Sequence, residues 1–313
     1  MQHISSLDEI QLKDSWLTIG SFDGVHLGHQ AIIQKLTEGA HAQGVPAVVL
    51  TFHPHPAVVL GKRQNDSYLT TPQERAALLG ELGVDVIITQ PFNPEIAAMS
   101  ALDFISWAHD RLGFSQLCVG HDFALGRGRQ GNVEFLGQLG RQFSYSMNIA
   151  EPVTFKGQVV SSSQIRSALI EGDMTRARVL LGRPFHLSGE VIHGDSRGRT
   201  IGIPTANLAL PLDRMVPKTG VYACLASVDG TRWAAVTNVG IRPTFENQPA
   251  TPQVEAHLLD FSQDLYSKQL ELEFIDRLRD EQRFPNIPAL VEQIQRDIIR
   301  GRERLSIFSS TSE

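Results

Sequence analysis

TIGSFDGVHLGHQ, residues 18–30, decides the fold of the first half of the chain. It leaves a β-prone run, Trp16 to Ile19, and opens a helical segment, Gly28 to Ala42, whose apolar residues Ala31, Ile32, Leu36 and Ala40 fall on overlapping faces. Gly20 and Gly24 permit a tight turn and a close ligand approach between the two. His26 and His29 flank Gly28 at the helix start, where unpaired N–H groups and the helix dipole favour a phosphate. Two imidazoles there can donate hydrogen bonds to phosphoryl oxygens as charge develops. An isolated H-x-G-H string reads as easily as a pair of capping histidines; the strand–glycine–helix setting favours the phosphate site.

The same rhythm continues outward. Val45 to Phe52, Val84 to Thr89 and Gln116 to Gly120 are short apolar runs suited to strands buried on both faces. Thr71-Pro72-Gln73-Glu74 is a capping box with proline at the first helical position, and Ser100 to Asp103 resembles a second helix start. Strands alternating with helices predict a doubly wound, parallel α/β sheet. After about Pro184 the rhythm changes. Leu187 to Ile192, Val221 to Val228, Trp233 to Val239, Val254 to Phe261 and Leu270 to Leu278 read as strands, with Asp229-Gly230 as a hairpin signal and one late helix from about Ile287 to Arg300. This predicts an antiparallel β-barrel or sandwich with a C-terminal helix. The domains are expected at residues 1–184 and 185–313.

The chain has 313 residues, a formal net charge of -6, 42% hydrophobic and 20% charged residues, so two packed domains are affordable and global disorder is excluded. The acidic balance argues against a nucleic-acid-coating protein. Cys118 and Cys224, the only cysteines, lie in apolar runs and suit neither a disulfide framework nor a cysteine zinc site. The start, MQHISSLDEIQLK, lacks the apolar core of a signal peptide, and no apolar run approaches a membrane span, so a cytoplasmic location is expected, with no membrane partner. A homo-oligomer is compatible with the sequence and not required by it.

Further chemistry-bearing residues follow strand ends, where α/β proteins bind ligands. His53 and His55 alternate with Pro54 and Pro56 after a strand, and Asp122 and Phe123 follow another. Ser161 to Ser163 can cap a helix from whose first turn Arg166 projects. Residues 126–131, G-R-G-R-Q-G, match a dinucleotide fingerprint, with Glu151 about 20 residues on, which raises an oxidoreductase as the alternative. The match lies outside the first βα unit and carries Arg127 and Arg129, so a basic loop over phosphates fits it better. In the second half, Gly194, Gly198 and Gly202 form a flexible loop with Arg197 and Arg199. Thr205 and Asn207 in Pro204-Thr205-Ala206-Asn207 offer a hydroxyl and an amide oxygen that can meet one Mg²⁺.

GSFDGVHLGHQ resembles the nucleotide-binding loop of the HxGH nucleotidylyltransferases, and its F-D-G-V-H form is similar to the bifunctional riboflavin kinase/FMN adenylyltransferases, the prokaryotic FAD synthetases. TFHPHP (51–56), GHDFALGRGRQG (120–131), SSSQIR (161–166), LLGRPF (180–185), PTAN (204–207), NVGIRPTF (238–245), VEAHLLDF (254–261) and RLRDEQRF (277–284) agree in order over nearly the whole chain. The chain departs at Ala124 and Leu125, where that family often has bulkier residues, and at Arg127, where lysine is frequent. The resemblance implies two activities: phosphorylation of riboflavin by ATP in the barrel, and adenylylation of FMN by ATP, giving FAD and pyrophosphate, in the α/β domain. It implies catalytic roles for His26 and His29, and a general base in Glu255. ATP and phosphate contacts would come from Gly20, Phe22, Asp23, Gly24, Gly28, Ser162, Arg166, Gly194, Gly198 and Arg199. Flavin contacts would come from His55, Asp122, Phe123 and Arg129, and Mg²⁺ would fall to Thr205 and Asn207. A single-activity adenylyltransferase with a regulatory barrel is the remaining alternative; PTAN and Glu255 speak against it.

Overall fold

The computed structural model describes residues 1–61, 67–194, 198, 201–242 and 251–310. By contact the chain divides into two units, Met1–Ser162 and Ser163–Glu313.

The first unit is built on a six-stranded sheet. Its strands are β1 (Gln2–Ile4), β2 (Ser15–Ile19), β3 (Ala47–His53), β4 (Val86–Pro91), β5 (Phe114–Gly120) and β8 (Ser146–Ala150). All pair in parallel, in the order β1-β4-β3-β2-β5-β8. Between them run α1 (Leu27–Ala42), α2 (Pro56–Val59), α3 (Pro72–Glu81), α4 (Pro94–Ala98), α5 (Ala101–Leu112) and α6 (Val133–Phe143). Alternation along the strands splits the core in two. Ala47 and Val49 pack with Ile33, Leu36 and Leu79 of α1 and α3 on one face. Val48 and Leu50 pack with Phe104, Ile105 and Leu136 of α5 and α6 on the other. That is why β3 is apolar at nearly every position. The predicted starts hold: Thr71 and Glu74 form the reciprocal capping box of α3, and Ser100 caps α5. Strand order runs outward in both directions from β2, so the ends of β2 and β5 border the switch point where such sheets bind ligands.

Two short ribbons complete this unit: β6 (Ala124–Leu125) with β7 (Gly131–Asn132), and β9 (Thr154–Phe155) with β10 (Gln158–Val159). In the second unit α7 (Ser162–Glu171) and α8 (Met174–Leu181) precede a closed antiparallel barrel. Its strands are β11 (Phe185–Ile192), β12 (Ala206–Leu208), β13 (Gly220–Val228), β14 (Thr231–Arg242), β15 (Thr251–Leu258) and β16 (Gln269–Arg279), in the order β11-β12-β15-β14-β13-β16. Helix α8 packs on β11 and β16, so by contact the α7–α8 pair groups with the barrel, ahead of the expected 184/185 junction. The C-terminal helix α9 (Ile287–Ser310) lies along β13, β14 and β16 over Val221, Val236, Ile275 and Leu278. It continues ten residues past the expected end at Arg300.

Candidate active sites

The β2–α1 loop is shaped by a buried framework. Phe22 and Val25 take positive φ of 47° and 42°, and Gly24 takes 85°. Asp23 is buried, and its Oδ1 accepts the Leu69 and Thr70 amides at 2.9 and 3.1 Å, so this carboxylate shapes the loop from within. The Gly24 amide donates to Thr70 Oγ1 at 3.1 Å. Ser162 Oγ, at the end of the first unit, donates to the Asp23 carbonyl at 3.0 Å. The Phe22 ring lies over Gly20 and meets His29 edge-on at 5.1 Å.

His26 is the N-cap of α1, its Nδ1 accepting the His29 amide at 3.4 Å. The two imidazoles stack with centroids 3.6 Å apart. Gly28 makes room for this: a Cβ there would stand 3.2 Å from the His26 ring. His29 Nδ1 is buried and has no hydrogen-bond partner among the described residues. Burial first, then His26 and Arg75, hold the His29 pKa well below its ordinary 6.5. His29 is therefore neutral near pH 7. With Nδ1 of His26 accepting an amide and Nδ1 of His29 sealed off, each carries its proton on Nε2, as a donor.

Around the same sheet edge, His55 caps α2, its Nδ1 accepting the Ala57 amide at 3.0 Å, while its own amide donates to Tyr68 Oη at 2.8 Å. Asp122 is exposed beyond β5, and its carbonyl accepts Arg129 Nη2 at 3.0 Å. Phe123 is half-buried against the α5–α6 core, as a packing phenylalanine would be. Arg127 and Arg129 are exposed in the β6–β7 turn. Arg166 lies one turn into α7, in the second contact unit. Among the described residues no group of three or more His, Cys, Asp or Glu side chains could hold a metal ion.

In the barrel, register brings Asn207 of β12 opposite Glu255 of β15, and Glu255 opposite Asn238 of β14. Cross-strand partners share a face, so the three side chains form one polar row. Gln253, two residues along β15 on that face, donates to Asn207 Oδ1 at 3.0 Å and to Glu255 Oε1 at 2.6 Å. Gly194 lies against Asn207, where a Cβ would come within 2.3 Å of the amide nitrogen. The Gly198 carbonyl accepts the Ile203 amide at 2.8 Å, closing the loop that leads to Thr205. Two cavities open here, with Thr205 in both walls. One, about 410 Å³, is lined by Thr205, Asn238, Glu255, Arg279, Phe284 and Ile294 among others. The other, about 540 Å³, is lined by Thr205, Ala256, Leu258, Phe261, Asp264 and Tyr266 among others. Arg279 grips Asp297 of α9 with Nε and Nη2, at 2.7–3.0 Å, fixing the helix that walls the first cavity. Arg199 and Arg197, and the end of the NVGIRPTF block from Pro243, lie outside the described residues.

Sequence reading missed Arg75, Gln253 and Asn238. The alternation Gln253-Val254-Glu255-Ala256-His257 carried a signal for Gln253, which must share a face with Glu255. Arg75 interrupts the apolar face of α3, beside buried Ala76 and Leu79.

Two family models match the chain, one described as FAD synthetase over residues 8–164 and one as riboflavin kinase over residues 181–305. Bifunctional riboflavin kinase/FMN adenylyltransferases are similar over nearly the full length. That of Bacillus subtilis is 39% identical over 97% of this chain and 95% of its own. The Pseudomonas fluorescens relative is 41% identical over 91% of each, and the Escherichia coli K12 relative 38% over 96% of each. A solved structure described as a macrolide-efflux protein from Streptococcus pneumoniae shares the fold, with a TM-score of 0.86 at 30% identity over 96% of this chain and 98% of that one. No helix among the described residues is long and apolar enough to cross a membrane. The chain belongs to the bifunctional riboflavin kinase/FMN adenylyltransferase family, with the adenylyltransferase in its first half and the kinase in its second.

Proposed function

We propose that each reaction runs on its own constellation, riboflavin phosphorylation around Glu255 and FMN adenylylation around His26 and His29. The observation that carries this reading is that the stacked histidines close on themselves in the first unit, while Asn207, Gln253 and Glu255 do so in the second.

In adenylylation, an FMN phosphate oxygen attacks the α-phosphorus of ATP in line, and pyrophosphate leaves. The chain's work is positioning and charge stabilisation. His26 and His29 donate from Nε2 to the transferring phosphoryl group at the α1 N-terminus, where the loop through Gly20, Gly24 and Gly28 brings backbone N–H groups close. Ser162 holds the triphosphate beside this loop. His55, Asp122, Phe123 and Arg129 belong to the flavin side of this site, at the ends of β3 and β5. Asp23 and Phe22 serve the nucleotide through the shape of the loop.

In the kinase, riboflavin enters the cavity that contains Glu255, and ATP takes the one lined by Phe261 and Tyr266. Thr205, common to both walls, marks where the γ-phosphoryl group crosses. Glu255 accepts the ribityl hydroxyl proton, held toward it by Gln253. The Thr205 hydroxyl and Asn207 amide oxygen suit a hard cation, and the space kept open by Gly194 beside Asn207 suits a phosphate against it. Mg²⁺ held there would neutralise phosphate charge. Gly198 and Arg199 complete the phosphate loop.

On this reading the functional domains are residues 1–184 and 185–313. The partners are riboflavin, FMN and ATP, in the cytoplasm, with neither nucleic acid nor membrane required. The test is a time course with riboflavin, ATP and Mg²⁺, resolving FMN and FAD. FMN should rise first and FAD follow. In His29→Ala protein the course should stop at FMN. Loss of both products would refute separate sites.

A further inference from the structure

We propose that Arg75 is a positioning residue for adenylyl transfer: from α3 it clamps the histidine-bearing loop to the end of β3 and supplies a positive charge that bears on His29. Arg75 is 1% exposed, the largest fully buried side chain among the described residues. Its Nη1 donates to the Ser21 carbonyl at 2.8 Å, and its Nη2 reaches the Phe52 carbonyl at 3.4 Å. Thr51 Oγ1 donates to the same Ser21 carbonyl at 3.0 Å. One side chain therefore joins the β2–α1 loop to the end of β3, one residue before His53. Burying a guanidinium is unfavourable unless its surroundings compensate. An apolar residue would pack beside Ala76 and Leu79 without that penalty, so the loop geometry is what the arginine serves.

The charge has a second effect. Burial lowers the Arg75 pKa, and Asp23 and Tyr68 offset part of that by favouring its cation. After burial, Arg75 also disfavours protonation of His29 and His3. The titratable and charged groups that bear on His29 are His26, stacked on it from the loop, and Arg75 from α3; Phe22 supplies an uncharged wall. Arg75 thus adds to burial and His26 in holding the His29 ring neutral. The inference rests on the assignment of the two histidines to adenylyl transfer, but the titration of His29 reads the charge effect whether or not that assignment holds.

The test uses the full-length protein as wild type, Arg75→Met and Arg75→Lys. The His29 imidazole is titrated by NMR, its resonance assigned by its loss in His29→Gln. FAD formation from supplied FMN and ATP gives the rate, and FMN formation from riboflavin is the control. Arg75→Met should move the His29 midpoint up toward 6.5 and slow FAD formation by ~10²-fold, the scale of an ångström-sized misplacement. Arg75→Lys should keep the midpoint, recover part of the rate, and leave FMN formation unchanged. A wild-type midpoint or a wild-type FAD rate in Arg75→Met overturns the proposal. If Arg75→Met does not fold, Arg75→Lys decides: a midpoint shifted upward, or a fully wild-type rate, overturns it. A wild-type FAD rate in His29→Ala would instead remove the histidine assignment beneath it.

Discussion

Replacing Gly28 by alanine should separate stability from activity in the first unit. Gly28 is the second residue of α1, at a backbone conformation any residue adopts, so alanine fits the helix and removes the entropic penalty of glycine there. That change favours the folded state by about 0.5–1 kcal/mol. The new methyl, however, would stand 3.2 Å from Cε1 and Nδ1 of His26 and 3.6 Å from the Val160 carbonyl oxygen. Comfortable carbon contacts begin at about 3.5–4.0 Å, so the imidazole must retreat by roughly 0.5 Å. It cannot retreat freely, because it is stacked on His29 at 3.6 Å. If a 1 Å misplacement is worth about 10²-fold, half of that is worth about 10-fold in the adenylyl step. The assay pairs FAD formation from FMN and ATP with thermal unfolding of the full-length protein. The variant should be about tenfold slower in making FAD, unchanged in making FMN, and no less stable. A wild-type FAD rate would refute the idea that the glycine keeps space for the His26 ring; a clear loss of stability would refute the helix argument.

Three further outcomes follow from the same geometry. On the proposed assignment, His29→Ala removes a donor to the transferring group, so FAD formation should fall by ~10²-fold or more while FMN formation holds. His29 is neutral when folded, with its pKa below 6.5, so its contribution to stability is present above pH 6.5 and is lost as pH falls toward the folded value, because only the unfolded chain then takes up the proton; melting at about pH 7.5 and about pH 5.5 should show this decline, flattened in His29→Gln. A barrel fragment starting at Ser163 should make FMN and melt higher than one starting at Arg183, since the shorter fragment loses buried Leu180 and Leu181, worth together about 3–6 kcal/mol; equal melting would show that α8 contributes nothing to the barrel.

Much of the architecture was legible because it rests on local signals. Strands buried on both faces and the Thr71 capping box stand out without tertiary information. Elements lacking such a signal were not legible. Strand β1 is three residues long, and β8, Ser146–Ala150, is half polar because it closes one edge of the sheet. The expected helix end at Arg300 falls just before Gly301. That glycine is a buried point of close approach, where a Cβ would sit 3.1 Å from Val236 of β14, so the helix runs on to Ser310. At the sites, the histidine pair could be read from spacing, since helix geometry fixes three-residue neighbours. The polar row could not, because Asn207, Asn238 and Glu255 meet only through barrel register. Asp23 adds a structural part that its place in the loop motif did not signal: its Oδ1 accepts the Leu69 and Thr70 amides.

The most direct test of two separate sites in one chain is Glu255→Gln, supplied first with riboflavin and then, separately, with FMN, each with ATP and Mg²⁺. The substitution keeps the shape of the side chain and removes the base. FMN formation should fall by ~10²- to 10⁴-fold, while FMN is converted to FAD at the wild-type rate. Near-normal phosphorylation of riboflavin would contradict the assignment of Glu255, and parallel loss of both reactions would contradict the separation of the sites.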